Sequence, residues 1–309
     1  MSSPQTVQKS TLFSVLPLMN LFQQVDMGLI ANPSSRSALQ SLWTPANQAY
    51  NAIGNVSRSF VAPGDVRPLQ GVPTTKVQNM LNRIKLYPPF DSHQVGIFDV
   101  NISKLVTPQI AVNSSRVLTR ANIVPNMTND QLFDVSFNSG GQVSPITRQL
   151  IGVGPFNGSL LFTSYDEDVR LHHPPVFQNI PINPTDPQST KLEATCFPVG
   201  GGTPFGWAYR IRIDATNTRL ILCNAIHRLC ALARAKYASC PLAVVDADAS
   251  EIPQQFVELP RDMLLNPSQN PPLIVDYTNP AVVIQLDYYR MLKTVRLNWQ
   301  FEQYATVLR

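Results

Sequence analysis

The run Val244-Val245-Asp246-Ala247-Asp248 has the residue types best suited to chemistry in this chain. Two carboxylates at the end of an apolar strand can hold Mg²⁺, and one of them can act as a nucleophile. The chemistry would be metal-assisted hydrolysis. Such a site needs parallel strand–helix alternation around it, a partner lysine and a second acidic pair, and the sequence offers none of these clearly. A solvated loop is therefore the reading the residues favour.

Cys223, His227 and Cys230 are spaced by four and three residues, about one turn each, so a helix would place them on one face. Cys240 or Cys196 could complete a four-ligand zinc site. Three ligands from one continuous helix are rare in zinc sites, and buried thiols beside a hydrogen-bonded histidine are the plainer reading. The sequence leaves the choice open. His172-His173 precedes two prolines in a polar loop, and His93 follows Asp91 and Ser92 without a readable nucleophile–base pair. Gly152-x-Gly154 with Gly158 lacks the Lys-Ser/Thr of a phosphate loop. Gly200 to Gly202 has no Gly-x-Ser-x-Gly elbow beside it. No catalytic, cofactor-binding or metal residue is therefore assigned, and no cofactor is expected.

The elements that would carry these residues fall into two regions. In residues 1–90, Leu12 to Phe22 reads as an amphipathic helix, and Thr44-Pro45 as the N-cap and first residue of another. Val77, Met80, Leu81 and Ile84 mark one face of a third, ended by Pro88 and Pro89. Beyond residue 90 the period becomes two. Phe98, Val100 and Ile102, then Phe133, Val135 and Phe137, then Trp207 to Ile213, then Val295 to Phe301 alternate with polar residues, as half-buried strands do. Arg116–Val124, Gly158–Tyr165 and Val282–Tyr289 are further strand candidates. His172–Pro187 and Val199–Pro204 read as long loops. Thr218 to Ala238 is apolar almost all round, which predicts one long buried helix. The expected fold class is α+β: a helical domain at 1–90, then an antiparallel, jelly-roll-like β-sandwich at 91–309 with a helix near 218–238.

Charged residues are 14 % of the 309, against roughly 25 % in ordinary soluble proteins. Asn, Gln, Ser, Thr and 27 prolines take their place. Interface centres are depleted of Lys, Glu and Asp, so this composition suits a protein whose faces neighbours cover. Residues 1–90 hold seven Lys or Arg and only two Asp, whereas residues 91–214 hold eight basic and ten acidic residues. The excess cations, among them Arg36, Arg58, Arg67, Lys76, Arg83 and Lys85, nominate the N-terminal domain for docking onto an acidic inner layer. They are dispersed, which argues against direct genome binding. No run approaches the ~20 apolar residues of a membrane span. Asn-x-Ser/Thr triplets begin at Asn55, Asn101, Asn113, Asn126 and Asn157 and read as chance products of an Asn- and Ser-rich chain.

A helical base followed by a β head, in a sparsely charged, Pro- and Asn-rich chain with the Phe98 to Phe137 strands, resembles the trimeric middle- and outer-layer capsid proteins of reoviruses, of rotavirus, orbivirus and seadornavirus type. In those families helices return after the head, whereas Val295–Phe301 alternates like a strand. The resemblance implies a non-enzymatic shell subunit of a non-enveloped, double-stranded RNA virus. Its implied partners are copies of itself in trimers and lattice, an inner shell protein and an outer spike protein. Its implied location is the virion, and the host cytoplasm during assembly. A virion surface spike that binds a receptor is the alternative, and a hydrolase built on Asp246 and Asp248 a more distant one.

Overall fold

The computed structural model describes residues 7–15, 21–22, 25–27, 30–85, 90, 93–122, 126–137, 146–148, 159–164, 169–171, 177–181, 190–198, 205–256, 258–289 and 293–298. The chain divides into two compact units, Met1–Gly141 with Thr203–Arg290, and Gln142–Gly202 with Met291–Arg309. No boundary falls at residue 90. The N-terminal strand pairs with residues from the 280s, and residues 66–68 pair with residues 98–100, so backbone hydrogen bonds tie the first ninety residues into the rest of the first unit.

The strands of the first unit are, in order, β1 Val7–Phe13, β2 Ile30–Asn32, β3 Val66–Pro68, β4 Val95–Asn101, β5 Leu105–Val106 and β6 Ala111–Asn113. The second unit contributes β7 Ile146–Arg148, β8 Ser159–Ser164, β9 Val169–Leu171, β10 Phe177–Pro181 and β11 Thr190–Pro198. The first unit resumes with β12 Trp207–Arg212, β13 Thr218–Asn224, β14 Ser239–Ala247, β15 Gln255–Phe256, β16 Leu259–Pro260 and β17 Val283–Tyr289, and β18 Lys293–Asn298 returns to the second. Among the described residues, the helices with defined ends are α1 Arg36–Ala52, α2 Thr74–Ile84, α3 Ser114–Ala121, α4 Asn129–Phe137, α5 Ile226–Arg234 and α6 Arg261–Leu265. The class is mixed α+β with largely antiparallel sheets.

A six-stranded sheet, ordered β3-β4-β14-β12-β13-β5, forms the centre of the first unit. It is mixed: β12 runs parallel to β14 and β13 parallel to β5. Both faces are covered. Ala208, Leu220, Leu222, Leu242 and Val244 pack with Val117 of α3 and Leu229 of α5. Trp207, Tyr209, Ile211, Ile221 and Val245 pack with Met80 and Ile84 of α2 and Phe133 and Phe137 of α4. Strands buried on both sides are rich in apolar residues rather than alternating, and for that reason Thr218–Asn224 is mistaken for helix. It is β13; only Ile226–Arg234 is helical. The break is Ala225 in the left-handed region at φ 85, held there by Asn224, whose Oδ1 accepts the Ala225 N–H at 2.7 Å.

A second sheet, β2-β17-β1-β6, packs against α1. Leu39, Trp43, Ala46 and Tyr50 form the buried stripe of that helix. Ser35 caps it through the Ala38 N–H, and Pro45 lies inside it rather than at its start. Leu12, expected in a helix, lies in β1 with Phe13. Two strand expectations also become helices. Asn113 caps α3 by accepting the Arg116 N–H at 3.1 Å. Thr128 and Gln131 form a reciprocal capping box ahead of α4, which fixes Leu132 to Phe137 as helix. The helix face at Met80 and Ile84 and the strands β4, β8, β12, β17 and β18 agree with expectation. Residues 86–89 lie outside the described residues.

In the second unit β10, β7 and β9 each pair antiparallel with β11, and β18 pairs antiparallel with β8. β10 occupies part of the expected loop His172–Pro187. Val199–Pro204 lies outside the described residues.

Two buried polar groups fasten loops of the first unit. Arg219 of β13 is fully buried and sits over the Phe60 ring. It donates to Ser59 Oγ at 3.0 Å and to the carbonyls of Leu264 at 2.7 Å, Asn266 at 3.1 Å and Gln269 at 2.7 Å. Burial lowers its pKa to about 10. Glu258 accepts the consecutive N–H groups of Ile110 and Ala111, the latter at 3.2 Å. Burial raises its pKa despite those bonds. A carboxyl with a raised folded pKa favours folding most below its unfolded value, and that contribution is lost as pH rises through the folded value. Glu258→Gln keeps an acceptor for both N–H groups and removes the charge. The variant should melt with the parent at pH 4 and above it at pH 7. A melting-temperature gap that closed or reversed between those pH values would contradict this account.

Candidate functional site

The ends of the parallel pair carry an open cleft of about 600 Å³, lined by His93, Gln94, Arg210, Arg212, Thr218, Asp246, Ala247, Asp248 and Glu251. Strand register assembles it. Arg210 of β12 is level with Asp246 of β14, and Ile211 with Ala247. Thr218 pairs with Arg212 from the other side. Gln94, just before β4, accepts the Asp246 N–H at 3.1 Å.

Four of its titratable side chains are held in two pairs. Arg210 grips Asp246 with two bonds, Nε to Oδ1 at 2.5 Å and Nη2 to Oδ2 at 2.6 Å. The bonds to Asp246 raise the pKa of Arg210. His93 Nε2 lies 2.6 Å from Glu251 Oε2, while Glu251 Oε1 accepts the Asp248 N–H at 2.8 Å. Desolvation, with smaller contributions from Cys223 and Glu251, pushes the nearby Tyr209 hydroxyl up to about 12.

The Asp246-x-Asp248 pair is thus at the end of a strand, but both Asp246 oxygens are engaged by Arg210. A metal or a nucleophilic attack at Asp246 would have to displace a bidentate guanidinium. Among the described residues no group of three or more His, Cys, Asp or Glu is placed to hold a metal.

Cys223, His227 and Cys230 do not share a helix face, because Cys223 belongs to β13 and the other two to α5. Cys223 Sγ donates to the Ile221 carbonyl at 3.4 Å, and His227 Nε2 accepts the Asn113 N–H at 3.2 Å. Cys230 and Cys240 are fully buried, and burial raises the pKa of all three thiols. Cys196 lies in β11. His172, His173, Gly152, Gly154, Gly158 and Gly200 to Gly202 lie outside the described residues.

Folding cancels most of the N-terminal charge excess. Arg36 pairs with Asp26, Arg67 with Asp99 at 2.6 Å, and Lys76 with both Asp130 and Asp134 at 2.7 and 2.8 Å. Arg58 holds Asp276 by bonds of 2.6 and 2.7 Å. Arg83 and Lys85 remain exposed, with no ion-pair partner among the described residues. Four of the six nominated docking residues are therefore engaged within the chain.

Three of the Asn-x-Ser triplets have structural work instead of being accidents of composition. Asn55 Oδ1 accepts the Ser57 N–H at 3.1 Å and Asn101 Oδ1 the Ser103 N–H at 3.0 Å, and Asn113 is the cap of α3. Asp214 shapes the β12–β13 turn in the same manner. Bonds from the Asn217 side chain and the Thr216 N–H, with others, lower its pKa to about 2.

Compared with protein-family models, with curated proteins and with solved structures, the chain matches none. No helix among the described residues is long and apolar enough to cross a membrane.

Proposed function

We propose that the chain is a structural subunit that associates with copies of itself into a protein shell, a capsid layer of a non-enveloped virus being the shell its character fits. The observation that carries this reading is the small number of charges, several of which are paired within the chain. Only 14 % of residues are charged, and Arg36, Arg58, Arg67, Lys76, Arg210 and His93 are matched to carboxylates of the same chain. A sparsely charged surface repels its own copies only weakly, and polar but uncharged faces are what repeated contacts bury.

The two-unit organisation supports the same reading. The α+β unit is interrupted along the chain by an antiparallel β unit. In this reading the jelly-roll-like sandwich expected for residues 91–309 is confined to the β unit, and the helices of residues 1–90 belong to the α+β unit. Trimers, lattice neighbours, an inner shell protein and an outer spike are the partners in this reading, and the virion is its location. Of the basic residues, Arg83 and Lys85 are left to dock on an acidic inner layer.

Sedimentation velocity and electron microscopy of the purified protein test this. Concentration-dependent trimers, with sheets or cages at higher concentration, are the expected result. A monodisperse monomer at micromolar concentration, with a concentration-independent melt, would overturn it.

A further inference from the structure

We propose that the cleft at the ends of β12 and β14 is a self-complementary contact through which two copies of the chain meet about a two-fold axis, Arg212 of each copy facing Asp248 of the other. The inference rests on the self-assembly reading and adds to it the contact that joins closed oligomers. A trimer closes on itself; a shell built from trimers needs a second interface, and a two-fold contact is the simplest that propagates a lattice.

The geometry points to this occupant through charge. Period-two alternation places Arg212 on the same face of β12 as Arg210, and Asp248 continues the row of Asp246. The inner pair of that row, Arg210 with Asp246, is closed by two hydrogen bonds. The ladder ends at Ile211 and Ala247, where the chain after β14 turns into the short helix Ala249–Glu251. The next two residues, Arg212 and Asp248, are exposed, and neither has an ion-pair partner among the described residues. One cation and one carboxylate, each without an ion-pair partner among the described residues, thus line one cleft.

Arg210 and Arg212 line this cleft together with Asp246, Asp248 and Glu251, and His93 lies beside Glu251. A ligand of a single sign therefore meets an opposing charge of its own sign: a phosphate meets the carboxylates, and a cation meets the guanidiniums. The fitting partner bears both signs at matching spacing. A second copy related by a two-fold axis does so by construction, since one rotation brings Arg212 to Asp248 and Asp248 to Arg212 together.

Charge exchange tests this in the full-length protein. Arg212→Glu alone sets two carboxylates against each other twice per contact, and Asp248→Arg alone does the same with guanidiniums. Each single variant should weaken self-association by about tenfold or more, read by sedimentation velocity near 0.15 M salt. A mixture of the two variants restores opposite charges at both positions of a mixed pair, and so does the double variant R212E/D248R. Both should return association to the parental range, which also shows that the substituted chains fold. Single variants that associate like the parent, or a mixture and a double variant that both stay weakened, would overturn the contact while leaving self-assembly standing. A parent chain that does not associate at all would overturn both.

Discussion

Arg219→Met is expected to destabilise the first unit by about 3 kcal/mol, read as a fall in urea midpoint at unchanged slope. Removing the guanidinium leaves the carbonyls of Leu264, Asn266 and Gln269 and the Ser59 hydroxyl without their donor. A buried polar group that loses its partner costs about 1–3 kcal/mol. The variant recovers part of this sum, because it no longer buries a charge that the site resists, as the lowered pKa of Arg219 records. Arg219→Lys should recover little. An ammonium on a shorter, non-planar head cannot reach four acceptors arranged around a fork. Proteolysis should then cut the 264–270 segment earlier than the rest of the first unit. A midpoint unmoved by Arg219→Met would show that these carbonyls find other donors.

Arg58→Glu should be more damaging still, with a loss of about 4 kcal/mol or more and little folded protein at 37 °C. Arg58 and Asp276 are 17 % and 5 % exposed in their side chains. Burial opposes the charge of Arg58, yet the bonds to Asp276 outweigh it and its pKa rises. Asp276 also accepts the Leu273 N–H at 2.9 Å, and Arg58 Nε donates to Asn270 Oδ1 at 2.9 Å. Reversal would press two carboxylates together where water is scarce. Arg83→Glu with Lys85→Glu makes the contrast. Both side chains are exposed, and their reversal should move stability by no more than about 0.5 kcal/mol each. If this face docks on an acidic layer, as proposed above, that docking is lost in R83E/K85E at an unchanged melt, whereas in R58E the fold fails first. Equal melts for the two variants would remove the distinction between structural and surface cations.

The contrast shows what the sequence did and did not make legible. Charge summed along a chain does not report charge in space: the surplus in residues 1–90 is answered by Asp99, Asp130, Asp134 and Asp276, all from later in the chain. Periodicity located β4, β8, β17 and the α2 face, because each has a readable apolar pattern. It failed at β13, where burial on both faces erases the alternation. At α3 and α4 the signals were local and present. Asn113 and the pair Thr128 and Gln131 are caps, and reading them would have turned two expected strands into helices. The cleft was half visible. Asp246 and Asp248 stood out as a pair, but Arg210, Arg212, His93 and Glu251 reach them only through strand register and a turn, which no spacing along the sequence encodes.

The pairing of β1 with β17 joins Val7 to Tyr289 and Phe13 to Val283. On the ribosome this seam cannot form until almost the whole first unit has been made. At about 5–20 residues per second, β1 waits roughly 15–60 s for its partner. Throughout that interval β1 has an unsatisfied edge, the kind of edge that recruits other chains. In a cell making many copies at once, neighbouring nascent chains would compete with β17 for β1. Yield would then depend on how crowded the polysome is, and less frequent initiation or a chaperone that shields the N-terminus should raise the fraction that reaches the native seam.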